Sequence, residues 1–297
     1  MKFLHLIPFV FLVACSSEEP APLVSETKPS TAVVGEKVTT TSRYYEHVPT
    51  PSILIFSETR DWRHEEGIAG ATLAIMKIAN EMGHGYFTTE HSGVFNDKDL
   101  ARYDVVVFNN MTGDSLTPEQ EAAFARWQAK GNGTVLIHGA GDDSHQDWDL
   151  YHNKMLGATF VSHPMAPQFQ EARVEVLAPA HPVMQGVPSE FMATDEWYTF
   201  EAPPSDDFVI IAGLDESTYS PKNTVYGDRS DLRMGPKPAD HPIIWSRCIG
   251  DSQARTVFNA MGHKYDVYDT EEGFLILKNM LHWAAKKTDP ESKGCAK

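Results

Sequence analysis

The sequence predicts an α/β protein built on a mostly parallel central sheet with antiparallel additions. Three observations carry this reading. Short apolar runs alternate with amphipathic helical stretches through the first half of the chain. The run Asp104–Phe108 has an uninterrupted Val-Val-Val centre, as a strand covered on both faces requires. The second half then replaces helices with further strand-like runs.

Taken in order, Ser52–Phe56 is the first strand. Glu65–Met82 places Ile68, Ala71, Ala74, Ile75, Ile78 and Met82 at a helical period, and Gly83 ends that helix. Tyr86–Thr89 reads as a short strand, Asp97–Arg102 as a helical turn and Asp104–Phe108 as the central strand. Thr117-Pro118-Glu119-Gln120 starts the next helix: Thr117 is the N-cap, Pro118 occupies the first helical position, and Gln120 closes a capping box. That helix runs to Gly131. Thr134–Ile137 follows and empties into His138-Gly139-Ala140-Gly141-Asp142-Asp143. Strands joined through helices in this way pair in parallel. Ala172–Leu177, Phe208–Gly213, Pro242–Cys248 and Arg255–Ala260 are later strands with few helices among them until Glu271–Ala285, hence the antiparallel additions. Between Thr218 and His241 a segment of Pro, Gly, Asp and Lys without periodicity predicts a long surface loop bordering the site.

The ends differ from the body. Lys2 and the apolar stretch Phe3–Val13 lead into Leu12-Val13-Ala14-Cys15, a run too short to span a bilayer but similar to a bacterial lipobox. The expectation is a signal peptide at 1–14, a lipidated Cys15 with a Ser-, Thr-, Pro- and Glu-rich tether at 15–51, a folded domain at 52–287 and a disordered tail at 288–297. The protein is then exported and held to a bacterial membrane by its lipid alone. Ser16, where Asp would retain it, points to the outer membrane, facing the periplasm or cell surface. A formal net charge of -16 argues against a nucleic-acid partner. Cys248 and Cys295 can pair in an oxidising compartment, and neither is placed as a nucleophile.

His64, His138 and His263 each stand at or shortly past the carboxyl end of a strand-like run: Ser52–Phe56, Gly133–Ile137 and Arg255–Ala260. Ligands of open α/β sheets bind in the crevice beyond those ends, so the three are expected to converge. His163, Glu196, Asp142 and Asp195 extend the set. Two uses stay open: imidazole and carboxylate acid–base chemistry, or a divalent metal such as zinc on His64, His138, His163 and His263. No spacing among them is a local metal signature. In Thr194–Phe200 two acids adjoin large aromatics, and a strand over Asp195–Phe200 would turn Glu196 and Tyr198 to one face and Asp195 and Trp197 to the other. Glu196 is the expected acid or base, its pKa raised by aromatic surroundings. Trp62, Trp197 and Tyr198 offer stacking faces for a sugar, with Asp142 accepting from hydroxyls and Arg63 donating. Gly131-Asn132-Gly133 precedes a strand instead of opening a helix, so a dinucleotide fingerprint is not supported.

Trp62-Arg63-His64, Val106–Asp114, Gly131–Asp142, Ser162-His163-Pro164, Thr194–Tyr198, Leu214–Tyr219, Asp240–Trp245 and Met261-Gly262-His263, in this order, resemble the ThuA-like (trehalose-utilisation) family. The resemblance spans Ile53 to Ala285. It implies a flavodoxin-like, class I glutamine amidotransferase-like sandwich, and it implies sugar metabolism without fixing a reaction. In the amidotransferases the turn after the strand matching Thr134–Ile137 presents a cysteine. Here it presents His138, so thioester chemistry lacks its nucleophile, and Ser144 lies too far along to replace it. The expected function is an enzyme that hydrolyses or transforms a glycoside or oxidised (keto) sugar. His138, Glu196, His64 and His263 would be catalytic, and Arg63, Asp142, Trp197 and Tyr198 would bind the small carbohydrate. The alternative is a non-catalytic sugar-binding lipoprotein serving carbohydrate uptake.

Overall fold

The computed structural model describes residues 48–142, 144–225, 229–286 and 294–295. The signal segment, Cys15 and most of the tether lie outside the described residues. β1 (Ser52–Phe56) is wholly buried, and its chain passes through a loop into α1 (Glu65–Met82), whose buried Ile68, Ala71, Ile75 and Ile78 form the predicted stripe. Gly83 ends the helix at φ 70°, a left-handed turn that favours glycine. β2 (Gly85–Thr89) and the one-turn α2 (Asp97–Leu100) follow, α2 stopping short of the expected Arg102. β3 (Val105–Asn109) is buried throughout. α3 (Pro118–Gln128) starts on the predicted capping box, with Thr117 and Gln120 satisfying each other's backbone N–H groups. Side chains of adjacent strand residues face opposite ways. Phe108 packs on Phe124 of α3 while the Asn109 amide donates to Thr72 of α1, so the two helices cover opposite faces of the sheet.

β4 (Gly133–Ile137), also fully buried, completes the parallel half, and Leu150–Leu156 then forms a wide π-helical turn. β5 (Phe160–Ser162), β6 (Phe169–Val176), β7 (Glu190–Glu196), β8 (Thr199–Phe200), β9 (Val209–Asp215), β10 (Pro242–Ile249), β11 (Ala254–Asn259) and α4 (Glu271–Ala284) complete the chain. The main sheet has nine strands in the order β2-β1-β3-β4-β11-β10-β9-β6-β7, and β5 pairs with β8 in a separate ribbon. β2, β1, β3, β4 and β11 are mutually parallel, in flavodoxin-like order. The remaining neighbours are antiparallel.

Three consequences position the site. The carboxyl ends of β1, β3, β4 and β11 open on one edge. Counting antiparallel steps from β11, β7 also runs in that direction, so its end at Glu196 reaches the same edge. In a flat sheet four strand spacings would hold β7 about 19 Å from β11. Yet Asp195 of β7 accepts a hydrogen bond from the Gly262 N–H, just past β11, at 2.6 Å, so the antiparallel half curls back over the edge.

The expected single strand Asp195–Phe200 is corrected: β7 ends at Glu196, the chain turns through Trp197 and Tyr198, and β8 resumes in the other ribbon. Of the segment 218–241, the described residues carry only the short 3-10 turn Pro238–Asp240 and isolated bridges from Asn223 to Met165 and Lys222 to Asp231. Cys248 and Cys295 form a disulfide with Cα atoms 5.3 Å apart, tying the chain at Cys295 to β10; most of the expected tail around it lies outside the described residues. Among the described residues no helix is long and apolar enough to cross a membrane.

Candidate active site

His138 follows β4 directly and takes φ 43°, a left-handed conformation that a side chain rarely adopts. Its surroundings enforce it. The ring Nδ1 lies 2.6 Å from the Ala260 carbonyl at the end of β11, and the next amide, Gly139 N–H, donates to Asn110 Oδ1 at 3.1 Å. Asn110 itself, past the end of β3, has φ 52°. His64 occupies the position before α1 without capping it. Its ring turns instead against those of His138 and His263, with centroids 4.8 and 4.7 Å away. Gly262 precedes His263 at φ 127°, so this turn favours glycine. Asp195 fastens the turn: its carboxylate accepts from the N–H groups of Gly262, His263 and its own neighbour Glu196.

Glu196 is the hub. Its Oε2 lies 3.3 Å from His138 Nε2 and 3.1 Å from His263 Nδ1, and those two nitrogens are 3.2 Å apart. Its Oε1 accepts from the Gln168 amide at 2.5 Å and lies 3.2 Å from His163 Nδ1, which is also 3.3 Å from the Pro164 carbonyl. The Tyr198 ring rests on His138, centroids 4.3 Å apart, with its hydroxyl 3.5 Å from His64 Nε2. Behind it, the buried His241 bridges Glu216 at 2.6 Å and the Tyr198 carbonyl at 2.9 Å, fixing the turn between β7 and β8.

Burial pushes the Glu196 carboxyl up, but hydrogen bonds from His138 and His263 outweigh it and hold the group well below the usual carboxylate range. The expectation of a raised pKa is therefore corrected: imidazoles surround this carboxylate more closely than aromatic surface does. Burial disfavours charge on His138, yet Glu196 and Asp195 together raise its pKa. His64, desolvated and beside two other imidazoles, is pushed down to about 2 and is neutral. Desolvation also lowers His163.

A cavity of about 420 Å³ opens above this floor. It is lined by Glu196, His163, His64, Tyr198, Asp142 and Phe160, and by Trp62, which is 69% exposed. Among the predicted residues, His64, His138, His163, His263, Glu196 and Tyr198 come together, with Asp142 beside them. Two substrate-binding expectations are corrected. Arg63 turns away from the cavity to pair with Glu90 at 2.6 Å and Glu65 at 3.0 Å, because α1 begins one residue after His64 and rotates its neighbour outwards. Trp197 is fully buried on the opposite side of the β7–β8 turn, its indole N–H donating to the Gln170 carbonyl. Ser144 merely accepts from the Gly113 N–H. Gln168, Phe160 and Asn110 are functional neighbours that the sequence reading missed. Asn110 was visible only as part of the family-like run Val106–Asp114, at the end of an apolar strand.

His64, His138, His263 and Glu196 each offer one ligand-capable atom, and these four atoms lie within 4.8 Å of one another. His163 is not in this group, so its place in the expected metal set is corrected: its Nδ1 stands on the other oxygen of Glu196, beside the Pro164 carbonyl.

Together these features define a flavodoxin-like α/β protein with a buried histidine–carboxylate centre at the carboxyl edge of its sheet. The model of the ThuA family, described as Trehalose utilisation, matches residues 52–284, and the chain belongs to that family. A solved ThuA-like protein of Bacteroides uniformis ATCC 8492 is similar at 23% identity and TM-score 0.65, covering 84% of this chain and 96% of its own. Another, from Parabacteroides merdae ATCC 43184, is similar at 17% identity and TM-score 0.56, covering 82% and 92%. At these identities the likeness is one of fold. No curated protein matches the sequence.

Proposed function

We propose that the protein is a carbohydrate-active enzyme that hydrolyses or transforms a small glycoside or keto sugar in the cavity above Glu196. One observation carries this reading: the buried Glu196 carboxylate lines the cavity and holds Nδ1 of His163, an imidazole that lines it too. Both partners of His163 Nδ1, the Glu196 carboxylate and the Pro164 carbonyl, are acceptors, so that nitrogen carries the proton and Nε2 is basic. His163 is then the general base, and Glu196 stabilises the imidazolium that forms when it takes a proton from water or substrate. Phe160, Tyr198 and Trp62 supply apolar faces for a sugar ring, and Asp142 an acceptor for its hydroxyls. Family membership supports the substrate class.

The test is incubation with mixed oligosaccharides and their oxidised forms, with products followed by mass spectrometry. Glu196→Gln and His163→Ala should each lower turnover about 100-fold or more. If wild-type protein binds a sugar tightly but yields no product, the enzyme reading fails and a sugar-binding role in uptake takes its place. We also infer export and anchoring through Cys15. The Lys2–Cys15 pattern supports this, and the Cys248–Cys295 disulfide suits an oxidising compartment. Failure of Cys15→Ser to abolish membrane fractionation would refute it.

A further inference from the structure

We propose that His64, His138, Glu196 and His263 form a divalent-metal centre of the zinc class. The inference goes beyond the sugar-processing reading and holds whether the cavity transforms a sugar or only binds one.

Geometry is the first argument. His138 Nε2, His263 Nδ1 and Glu196 Oε2 form a nearly equilateral triangle with sides of 3.2, 3.1 and 3.3 Å. A tetrahedral ion with ligand bonds of about 2.0 to 2.1 Å sets neighbouring ligand atoms about 3.3 Å apart. Three side chains from distant parts of the chain thus already stand at the spacing of one coordination face.

Donor accounting is the second. His138 Nδ1 faces the Ala260 carbonyl, which only accepts, so Nδ1 holds a hydrogen, and Nε2 is the nitrogen that can meet a cation once it gives up the proton it shares with Glu196. This is the arrangement by which metal-ligating histidines are oriented: the far ring nitrogen donates to a backbone carbonyl. Glu196 Oε2 offers lone pairs only. Its other oxygen is held by Gln168, which fixes the carboxylate plane. His138 Nε2, His263 Nδ1 and Glu196 Oε2 therefore stand together, and a divalent cation that displaces the protons they share satisfies all three at once, where a single proton satisfies a pair.

His64 is the third argument. It is 5% exposed, and its Nδ1 is buried without a hydrogen-bond partner among the described residues, an unfavourable state for a polar atom that a bound cation would relieve. Gly139 leaves room for the ring, since a Cβ there would stand 2.9 Å from that nitrogen. A donor set of three imidazoles and one carboxylate suits zinc, cobalt, nickel or manganese, not calcium or magnesium.

The test uses the full chain with its disulfide intact, stripped by a chelator and titrated with cobalt(II), then zinc. One cobalt per chain should bind, with the intense visible bands of four- or five-coordinate ions, and zinc should displace it. His138→Ala, His263→Ala and Glu196→Gln should each weaken zinc binding about 100-fold or more, while His163→Ala, which removes only a partner of Glu196 Oε1, should weaken it less, by about 10-fold. Circular dichroism reports whether each variant folds. For any that does not, zinc protection of His64, His138 and His263 in the wild type from diethyl pyrocarbonate, mapped by peptide mass spectrometry, replaces it. Absence of the cobalt spectrum in excess metal, binding that survives all three substitutions, or lack of histidine protection overturns the centre. Because no readout involves a sugar, failure of the enzyme reading and failure of the metal centre are separable.

Discussion

Asp195 shows how one side chain can decide a site without touching substrate. It is 1% exposed and its carboxylate serves three backbone N–H groups, so it joins the end of β7 to the turn carrying His263. Burial raises its pKa, opposed in part by the nearby His138 and by the N–H groups of Gly262 and Glu196. Asp195→Ala would leave buried donors without acceptors and should lower unfolding free energy by about 2 to 5 kcal/mol. Urea denaturation measures this, and a loss below about 0.5 kcal/mol would mean water replaces the carboxylate. The sequence offered Asp195 and Glu196 as adjacent acids and favoured Glu196 for chemistry. It could not show that Asp195 holds backbone, because the amides involved lie 67 and 68 residues away. The histidines were more legible, since each follows a strand whose apolar run announces where it ends.

At the scale of elements, contact between α1 and the His263 turn sets the floor of the site. Gly67 of α1 lies so close that a Cβ would stand 2.2 Å from the Gly262 carbonyl oxygen and 2.8 Å from that of His263. Alanine favours a helix over glycine by about 1 kcal/mol, but backbone oxygens cannot yield that far, so the clash wins. Gly67→Ala should therefore destabilise the protein by about 1 to 3 kcal/mol, as read from its thermal midpoint; a stabilised variant would show that the helix can slide. β1, β3, β4, α1 and α3 were legible because full burial or a helical stripe leaves a strong pattern. β5, β7 and β8 were not. They are short or half-exposed strands of mixed polarity, and Asp195–Phe200 reads as one continuous strand, so the chain break at Trp197 and Tyr198 is not visible in the sequence.

The whole molecule carries a pH dependence through its buried imidazoles. Desolvation lowers His145 and His181 to about 4 each, well below the ordinary histidine value. Between pH 6.5 and 4 the unfolded chain binds these protons and the folded one does not, so stability is fully present above about pH 6.5 and falls as pH drops towards 4, by up to about 3 kcal/mol per group. Thermal melts of chelator-treated protein between pH 7.5 and 4.5 should follow this slope, and His145→Gln or His181→Gln should flatten it; melts independent of pH over that range would refute the account. What the sequence by itself determined is the parallel half and its chemistry: which strands are buried, where they stop, and that His64, His138 and His263 sit at one edge, because these follow from local apolar runs and turn residues. Only the tertiary structure decided that Glu196 meets those imidazoles while Trp197 and Arg63 turn away. That outcome depends on how far the antiparallel half curls and where β7 breaks. Both are set by pairings between distant strands, and in a strand a shift of one residue reverses every side chain.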